Sequence, residues 1–351
     1  MNPAPAPAAT VSLQAIALPM SAGQHSDSRT VNSFLLSGQP LTLVDAGMPL
    51  PESLRALEAG LGTLGVRLAD VEQLVITHTH PDHYGGAGAI VRAVQSAGRP
   101  LRVLAHPRAA AILADLPAWW RSAREYILEV LRRAGAPPAI AHPPDGHPDR
   151  SDWTRASRSP MADPALSVRV DVPLPDGAMI ETSTAHWQAV HTPGHASTQL
   201  CLYDPEKGAL LSSDHVLPDV TANMVLEPPT DGEPAPHPIL DYLASLRRLQ
   251  ALKIERVWPG HGSEFGDAHA VLANRIDRCE QRLAQTAALL SGAPKTAWEV
   301  AEALYAGTPA AGSQRALFQV VAYLDALVAE GKAAIEPASE GGPYRYHAVT
   351  E

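Results

Sequence analysis

The sequence predicts an α+β fold in which two strand-rich halves are covered by helices, with a helical insertion and a small winged-helix-like module at the C-terminal end. Three observations predict it. Each half opens with runs of β-type pattern that give way to helical spacing. A proline-rich polar stretch separates the halves. The segment after residue 294 carries its own helix-capping and turn signals.

Residues 1–10, MNPAPAPAAT, form a Pro/Ala-rich tail of a composition that does not pack a core. Apolar runs at 11–18, 31–36 and 41–45 read as strands, and the helical spacing over 52–64 that follows suggests a sheet covered on its outer face. Another strand ends at Val75 and Ile76, a helix covers 85–97 and a strand covers 101–105. Residues 108–133 are helical in pattern, and 136–164 holds seven prolines among polar residues, so an insertion is expected over 108–165. Strands resume at 166–172, 188–191, 199–203 and 209–212. Helices at 237–252 and 267–290 flank a short strand at 256–258. The main domain is therefore expected over 11–293.

From residue 294 to 351 a separate module is expected. Thr296 and Glu299 make a capping box, in which hydroxyl and carboxylate each satisfy a backbone N–H left over at a helix start. Ser313 can cap a second helix, along which Leu317, Val320, Val321, Leu324, Leu327 and Val328 recur at helical spacing. Strand patterns at 333–336 and 344–349 flank a turn at 340–343. Helix, helix and hairpin are the outline of a winged helix.

At 351 residues the chain exceeds the roughly 100–200 of a usual domain and can bury a large core. Charged residues at 18% and apolar ones at 45% fit a soluble globular protein. A net charge of −10 argues against nucleic acid or an anionic membrane as a partner of the whole surface. Cys201 and Cys279 lack metal or disulfide spacing and read as buried thiols in a reducing compartment. The N-terminus lacks both the basic start and the unbroken apolar stretch of a secretory signal, and no run spans a bilayer, so a cytoplasmic location is expected.

The chemistry concentrates in ITHTHPDHYGG, residues 76–86, which sets His78, His80, Asp82 and His83 where a strand runs out into a helix. Along an extended chain His78, His80 and Asp82 share one face, and Gly85 and Gly86 let the backbone turn so that His83 converges on them. Imidazole and carboxylate together suit zinc, iron or manganese. Three further elements each follow an expected strand: His195 in HTPGH, Asp214 in LSSDH and His261 in PGHG.

This order of motifs resembles the metallo-β-lactamase superfamily, from about residue 11 to 290 apart from the insertion. The resemblance implies a four-layer αββα sandwich and a dinuclear site for two divalent ions, most simply zinc. It implies that His78, His80 and His195 hold one metal, that Asp82, His83 and His261 hold the other, and that Asp214 bridges them. Asp82 would also orient the nucleophile. Asp45, in LVDAG, matches an acidic position that braces the ligand loop. His191 and His215 lie in the same loops and are expected to support ligands or wall the substrate. The remaining histidines, His106 among them, are expected in solvent or core.

Two cations sharing one water make a hydroxide near neutral pH, and hydrolysis is the expected reaction. A thiolate leaves without a proton, which favours a small anionic thioester or ester as substrate. The motifs look most like the glyoxalase II branch, while the winged-helix-like tail is closer to the lactamase-β-2-like group, some of whose members cut single-stranded RNA. An RNA endonuclease is therefore the alternative, and a lactonase or β-lactam hydrolase would use the same metals. Residues 294–351 carry a net charge of −3, which speaks against nucleic acid, and the module is expected to pack, dimerise or wall a pocket. A homodimer is a base-rate expectation. Seven arginines between residues 117 and 160 could draw an anion in, and Trp119, Trp120 and Tyr126 could form a lid or dock the insertion.

Overall fold

The computed structural model describes residues 13–20, 30–141, 163–219, 223–230, 232, 235–336 and 341–349. The expected tail, His25, His142, His147 and three of the insertion's arginines, Arg150, Arg155 and Arg158, lie outside the described residues.

One sheet orders β1 (Leu13–Pro19), β2 (Thr30–Leu36), β3 (Thr42–Val44), β4 (Gln73–Ile76), β5 (Arg102–Ala105) and β6 (Val172–Pro173) as they come in the chain. It is antiparallel from β1 to β3 and parallel from β3 to β6. The second sheet runs β11 (Arg256–Pro259), β10 (Ala209–Ser213), β9 (Leu200–Asp204), β8 (Ala185–His191), β7 (Met179–Thr182), with only β10 and β11 parallel.

Alternation along the strands fixes the layers. Phe34, Leu36, Val44, Val75 and Leu104 face Trp187, Leu200, Leu202 and Leu211 of the other sheet. Their neighbours Leu35, Leu43, Leu74 and Val103 point the other way, onto Leu57 and Leu61 of α1 (Pro51–Thr63) and Ile90 and Val94 of α3 (Ala87–Ser96), which follows the single turn α2 (Pro81–Tyr84). On the far face of the second sheet, Val190, Cys201, Leu210 and Val257 meet α7 (Pro238–Gln250) and α8 (Ala268–Leu289). The order is helix, sheet, sheet, helix.

The expected helix over 108–133 is two helices, α4 (Pro107–Ala114) and α5 (Leu116–Arg133). Pro117 has no N–H to continue the first, and the Asp115 carboxylate accepts the Ala118 N–H to start the second. Trp120 is 1% exposed and donates its indole N–H to the Tyr84 hydroxyl at 3.1 Å, so it docks α5 on the body and is no lid. Arg132 and Arg133 both bind Glu129, which cancels much of their reach toward an anion. After α6 (Pro138–Ala141), the expected strand over 166–172 shrinks to the two residues of β6. Asp163 accepts the Ala165 N–H and closes a 3-10 turn, and the Asp171 side chain takes the Val103 N–H that a strand carbonyl would have taken. The edge strand β7 escaped the sequence reading because only Ile180 and Thr182 turn inward and Met179 lies exposed.

Past α8 the chain forms α9 (Ala297–Leu304), α10 (Gln314–Ala329) and an antiparallel hairpin of β12 (Ala333–Glu336) and β13 (Arg345–Ala348). The capping box closes as expected, with Thr296 Oγ1 accepting the Glu299 N–H and Glu299 accepting the Thr296 N–H at 2.7 Å. Val300, Leu317, Val320 and Leu324 share one core with Leu246, Leu249 and Leu272 of α7 and α8. Cys201 and Cys279 are free and buried, and burial pushes both thiols up to about 12. No helix among the described residues is long and apolar enough to cross a membrane.

Candidate metal centre

The strand β4 ends at Ile76, and His78 and His80 follow it on an irregular loop, while Asp82 and His83 sit in the single turn α2. The expected extended face therefore stops at His80. Pro81 opens the turn, where a missing N–H costs nothing. Gly85 and Gly86 take ordinary right-handed helical dihedrals, so freedom to turn is not their role. A Cβ on Gly86 would collide with the Ala46 carbonyl oxygen, and one on Gly85 would meet Pro49, so both are glycine because the loop after β3 lies against them. That close approach lets the Ala46 N–H reach the His83 carbonyl at 2.7 Å.

The other ligands come from the ends of second-sheet strands. His195 follows β8, Asp214 follows β10 and His261 follows β11. Ser213, the last residue of β10, has φ 45°, a left-handed strain of the kind that functional sites store, and it sets the direction in which Asp214 leaves the strand.

The structure brings the seven residues together as two adjoining groups, His78 with His80 and His195, and Asp82 with His83, Asp214 and His261. Asp214 touches both. Its Oδ1 lies 3.2 Å from His83 Nε2, and its Oδ2 lies 3.3 Å from His261 Nε2 and 3.6 Å from His195 Nε2.

Three of the five imidazoles are anchored through Nδ1 and present Nε2. His83 Nδ1 lies 2.7 Å from Asp45 Oδ2, His195 Nδ1 lies 2.6 Å from the Asn223 carbonyl, and His261 Nδ1 lies 2.8 Å from the Thr30 carbonyl. Those acceptors require Nδ1 to carry a proton, so the inward Nε2 of each ring is the atom that can bind a metal once it carries none. His78 Nδ1 is held by the hydroxyls of Thr77 and Ser213, and its Nε2 comes within 3.0 Å of His80 Nδ1.

The inward atoms His83 Nε2, His195 Nε2 and Asp214 Oδ1 are buried and have no hydrogen-bond partner among the described residues. Buried polar atoms left in this way are costly, and a divalent cation among them would satisfy them. Burial pushes His78 well below the usual imidazole range and His80 down to about 3, so the first group is a set of neutral donors. In the second group burial opposes charge on His83, but Asp214, Asp45 and Asp82 outweigh it and hold the ring protonated. His261 is likewise raised, to about 10, because hydrogen bonds to Asp214 and Asp82 outweigh its burial. Protons there occupy the place of a cation that would displace them. The residues fit two metal ions.

Asp45 is buried, with φ 61°, and binds the Thr77 N–H and hydroxyl as well as His83. It touches no residue of the first group directly. Asp45→Asn should lower affinity for the second metal by roughly 10–100-fold, the usual cost of losing a partner behind a ligand. Competition with a chromophoric chelator checks this, and unchanged affinity would remove Asp45 from that role.

His191 and His215 join neither group. His191 Nε2 lies 2.9 Å from the Ser197 carbonyl, and its ring stacks at 4.0 Å on His106, which the sequence alone had left in solvent or core. His215 is fully buried beside the Tyr242 ring, and burial takes it down to about 3. Sequence reasoning also missed Glu227, a buried carboxylate that accepts the Ser197 N–H at 2.9 Å just behind His195. No spacing marks it, since the loop folds back from 30 residues away.

A family model described as the metallo-beta-lactamase superfamily matches residues 27–125 and 126–261, the span that carries every ligand above. The chain belongs to the metallo-beta-lactamase superfamily. Among its relatives is the protein named probable metallo-hydrolase YqjP of Bacillus subtilis, 27% identical over 299 residues, which is 85% of this chain and 87% of that one. The metallo-beta-lactamase family protein TTHA1429 of Thermus thermophilus superposes with a TM-score of 0.73 at 27% identity, over 96% of this chain and 99% of its own. A shorter stretch of 135 residues, 38% of this chain and 39% of the relative, is 27% identical to an atrochrysone carboxyl ACP thioesterase of Aspergillus fumigatus. The Thermus match covers 96% of this chain and so extends past residue 261 into the C-terminal helices.

Proposed function

We propose that this superfamily member is a dinuclear metal-dependent hydrolase of a small anionic thioester or ester. The observation that carries the reading is the convergence of seven ligand side chains at the ends of strands from both sheets, with Asp214 between the two groups and the buried Nε2 atoms of His80, His83 and His195 without a hydrogen-bond partner among the described residues. Bound divalent ions would supply Lewis acidity and a water whose pKa is lowered toward neutral. The chain's own residues do the rest. Asp82 is the most open carboxylate of the centre after its hydrogen-bond distance of 3.3 Å to His261 is met, and it can accept and orient a water proton. Thr77, Asp45 and the carbonyls of Thr30 and Asn223 hold the imidazoles in their tautomers, so the site does not reorganise as charge develops.

A thiolate needs no proton to depart, which favours a thioester over an amide, and the name of the Aspergillus relative points the same way. Zinc suits the five imidazoles and two carboxylates, with iron or manganese as the other ions such a set accepts. The C-terminal helices and hairpin are read as a winged-helix-like module that walls the substrate rather than reads nucleic acid. The test is turnover by metal-loaded protein of thioesters, lactones, β-lactams and labelled single-stranded RNA, with chelated protein as the blank. Thioester or ester hydrolysis that chelation abolishes is the expected result. RNA cleavage with the thioesters untouched would replace this reading with the endonuclease, and β-lactam turnover alone with the lactamase.

A further inference from the structure

A second concave feature lies outside the metal centre, where α8 meets α9 and α10. It is a pocket of about 210 Å³ lined by Arg278, Arg282, Arg315, Tyr305, Gln319 and Asn223. No carboxylate lines it among the described residues. Arg247, Arg256 and Arg345 each find an acidic partner within 3.4 Å, whereas Arg278, Arg282 and Arg315 make no ion pair among the described residues. Three guanidinium groups on one pocket in a chain of net charge −10 are a local reversal of sign. Their mutual repulsion is relieved by an anion.

The donors are ordered toward that role. Arg282 lies over the Tyr305 ring at 5.1 Å, which holds its guanidinium in place. Arg315 and Ala316 sit in the first turn of α10, whose N-terminal end adds a positive partial charge. Arg275, Arg278 and Arg282 recur at spacings of three and four on one side of α8. The first of them grips the carbonyls of Leu217 and Pro218, on the loop that leaves Asp214. Asn223, further along that loop, lines the pocket and also anchors His195 through its carbonyl. The pocket and the metal centre are thus separated by one residue.

Its volume is below the roughly 300–1,000 Å³ of a site that encloses a whole ligand, so it suits one group of a larger molecule. We propose that this pocket is a subsite for a phosphate group at the carrier end of the substrate, with the scissile bond at the metal centre. For the rest of the ligand the proposal relies on the thioester reading above, which makes a nucleotide-bearing thioester of the coenzyme A kind the substrate class. The phosphate subsite itself depends only on the arginines. Summing charge over residues 294–351 hides it, because α8 supplies two of the three cations.

The test is calorimetric titration of the full metal-loaded chain with adenosine 3′,5′-bisphosphate and with coenzyme A, beside Arg278→Ala/Arg315→Ala and Arg278→Lys/Arg315→Lys. Both ligands should bind the wild type, weaken by about 10- to 100-fold in the alanine variant and recover in part with lysine. The exposed positions should leave the melting temperature unchanged. Failure of either ligand to bind, equal affinity in the alanine variant, or arginine-dependent binding of single-stranded RNA alone would overturn the proposal. If the phosphates bind through the arginines while no thioester is hydrolysed, the subsite stands and the thioester reading falls. Thioester turnover without phosphate binding is the reverse case.

Discussion

Asp214→Ala should abolish hydrolysis, with a loss well beyond the roughly 10–100-fold expected when a partner behind a ligand is removed, and the protein should retain fewer metal ions per chain. Among the described residues, Asp214 is the one carboxylate within 3.6 Å of inward nitrogens of both groups, through His83 and His261 on one side and His195 on the other. Two divalent cations in adjoining sites would repel each other in a poorly solvated cavity, and the Asp214 carboxylate would supply compensating charge. Asp214→Asn keeps the shape without the charge and should lose metal in the same direction. Elemental analysis after dialysis, alongside thioester turnover, checks both variants. A full metal complement in Asp214→Ala would remove this carboxylate from the centre.

Gly260→Ala should be nearly as damaging, although it adds a single methyl group to a residue with no ligand side chain. A Cβ there collides with Asp214 Oδ1 and comes within 2.9 Å of His83 Cε1 and 3.1 Å of the Ser213 carbonyl carbon. The backbone cannot retreat, because the Gly260 N–H donates to the Ser213 carbonyl at 2.8 Å and its own carbonyl accepts the Asn32 N–H at 2.7 Å. The carboxylate must therefore swing out of the site or the His261 loop must lift. Overpacking of this kind costs about 1–3 kcal/mol, so the metal-free variant should melt lower and also bind metal more weakly. Thermal unfolding with and without metal separates the two effects. Wild-type metal affinity in Gly260→Ala would show that the loop yields.

The ligands were legible in the sequence because this chemistry needs particular residue types at strand ends, and a strand end is itself a visible pattern. His78, His80, Asp82 and His83 are packed into six residues, and His195, Asp214 and His261 each follow within four residues of a strand's end. What supports them was not legible. Thr30 and Asn223 act through their carbonyls, which every residue type carries, and Glu227 and His106 reach the site only through tertiary packing. The strands failed in the same manner. β6 and β7 have weak patterns because one borrows a carboxylate for its ladder and the other is an edge with a single buried face. The one expected helix that divided, over 108–133, did so at Pro117.

The side-chain amide of Asn32 on β2 donates to the carbonyls of Pro259 and Gly262, across 227 and 230 positions of sequence. The loop bearing His261 is thus fastened to the first sheet by a contact that cannot form until nearly three quarters of the chain exists. A ribosome adds ~5–20 residues per second, so His83 waits roughly 10–40 s for His261 to be made. Any ion caught in that interval rests on a few neighbouring imidazoles that discriminate poorly between first-row metals. The second group of donors is consequently complete only at closure, when the His261 loop docks on β2, so its fit to a metal is set late in synthesis and not by the opening motif alone.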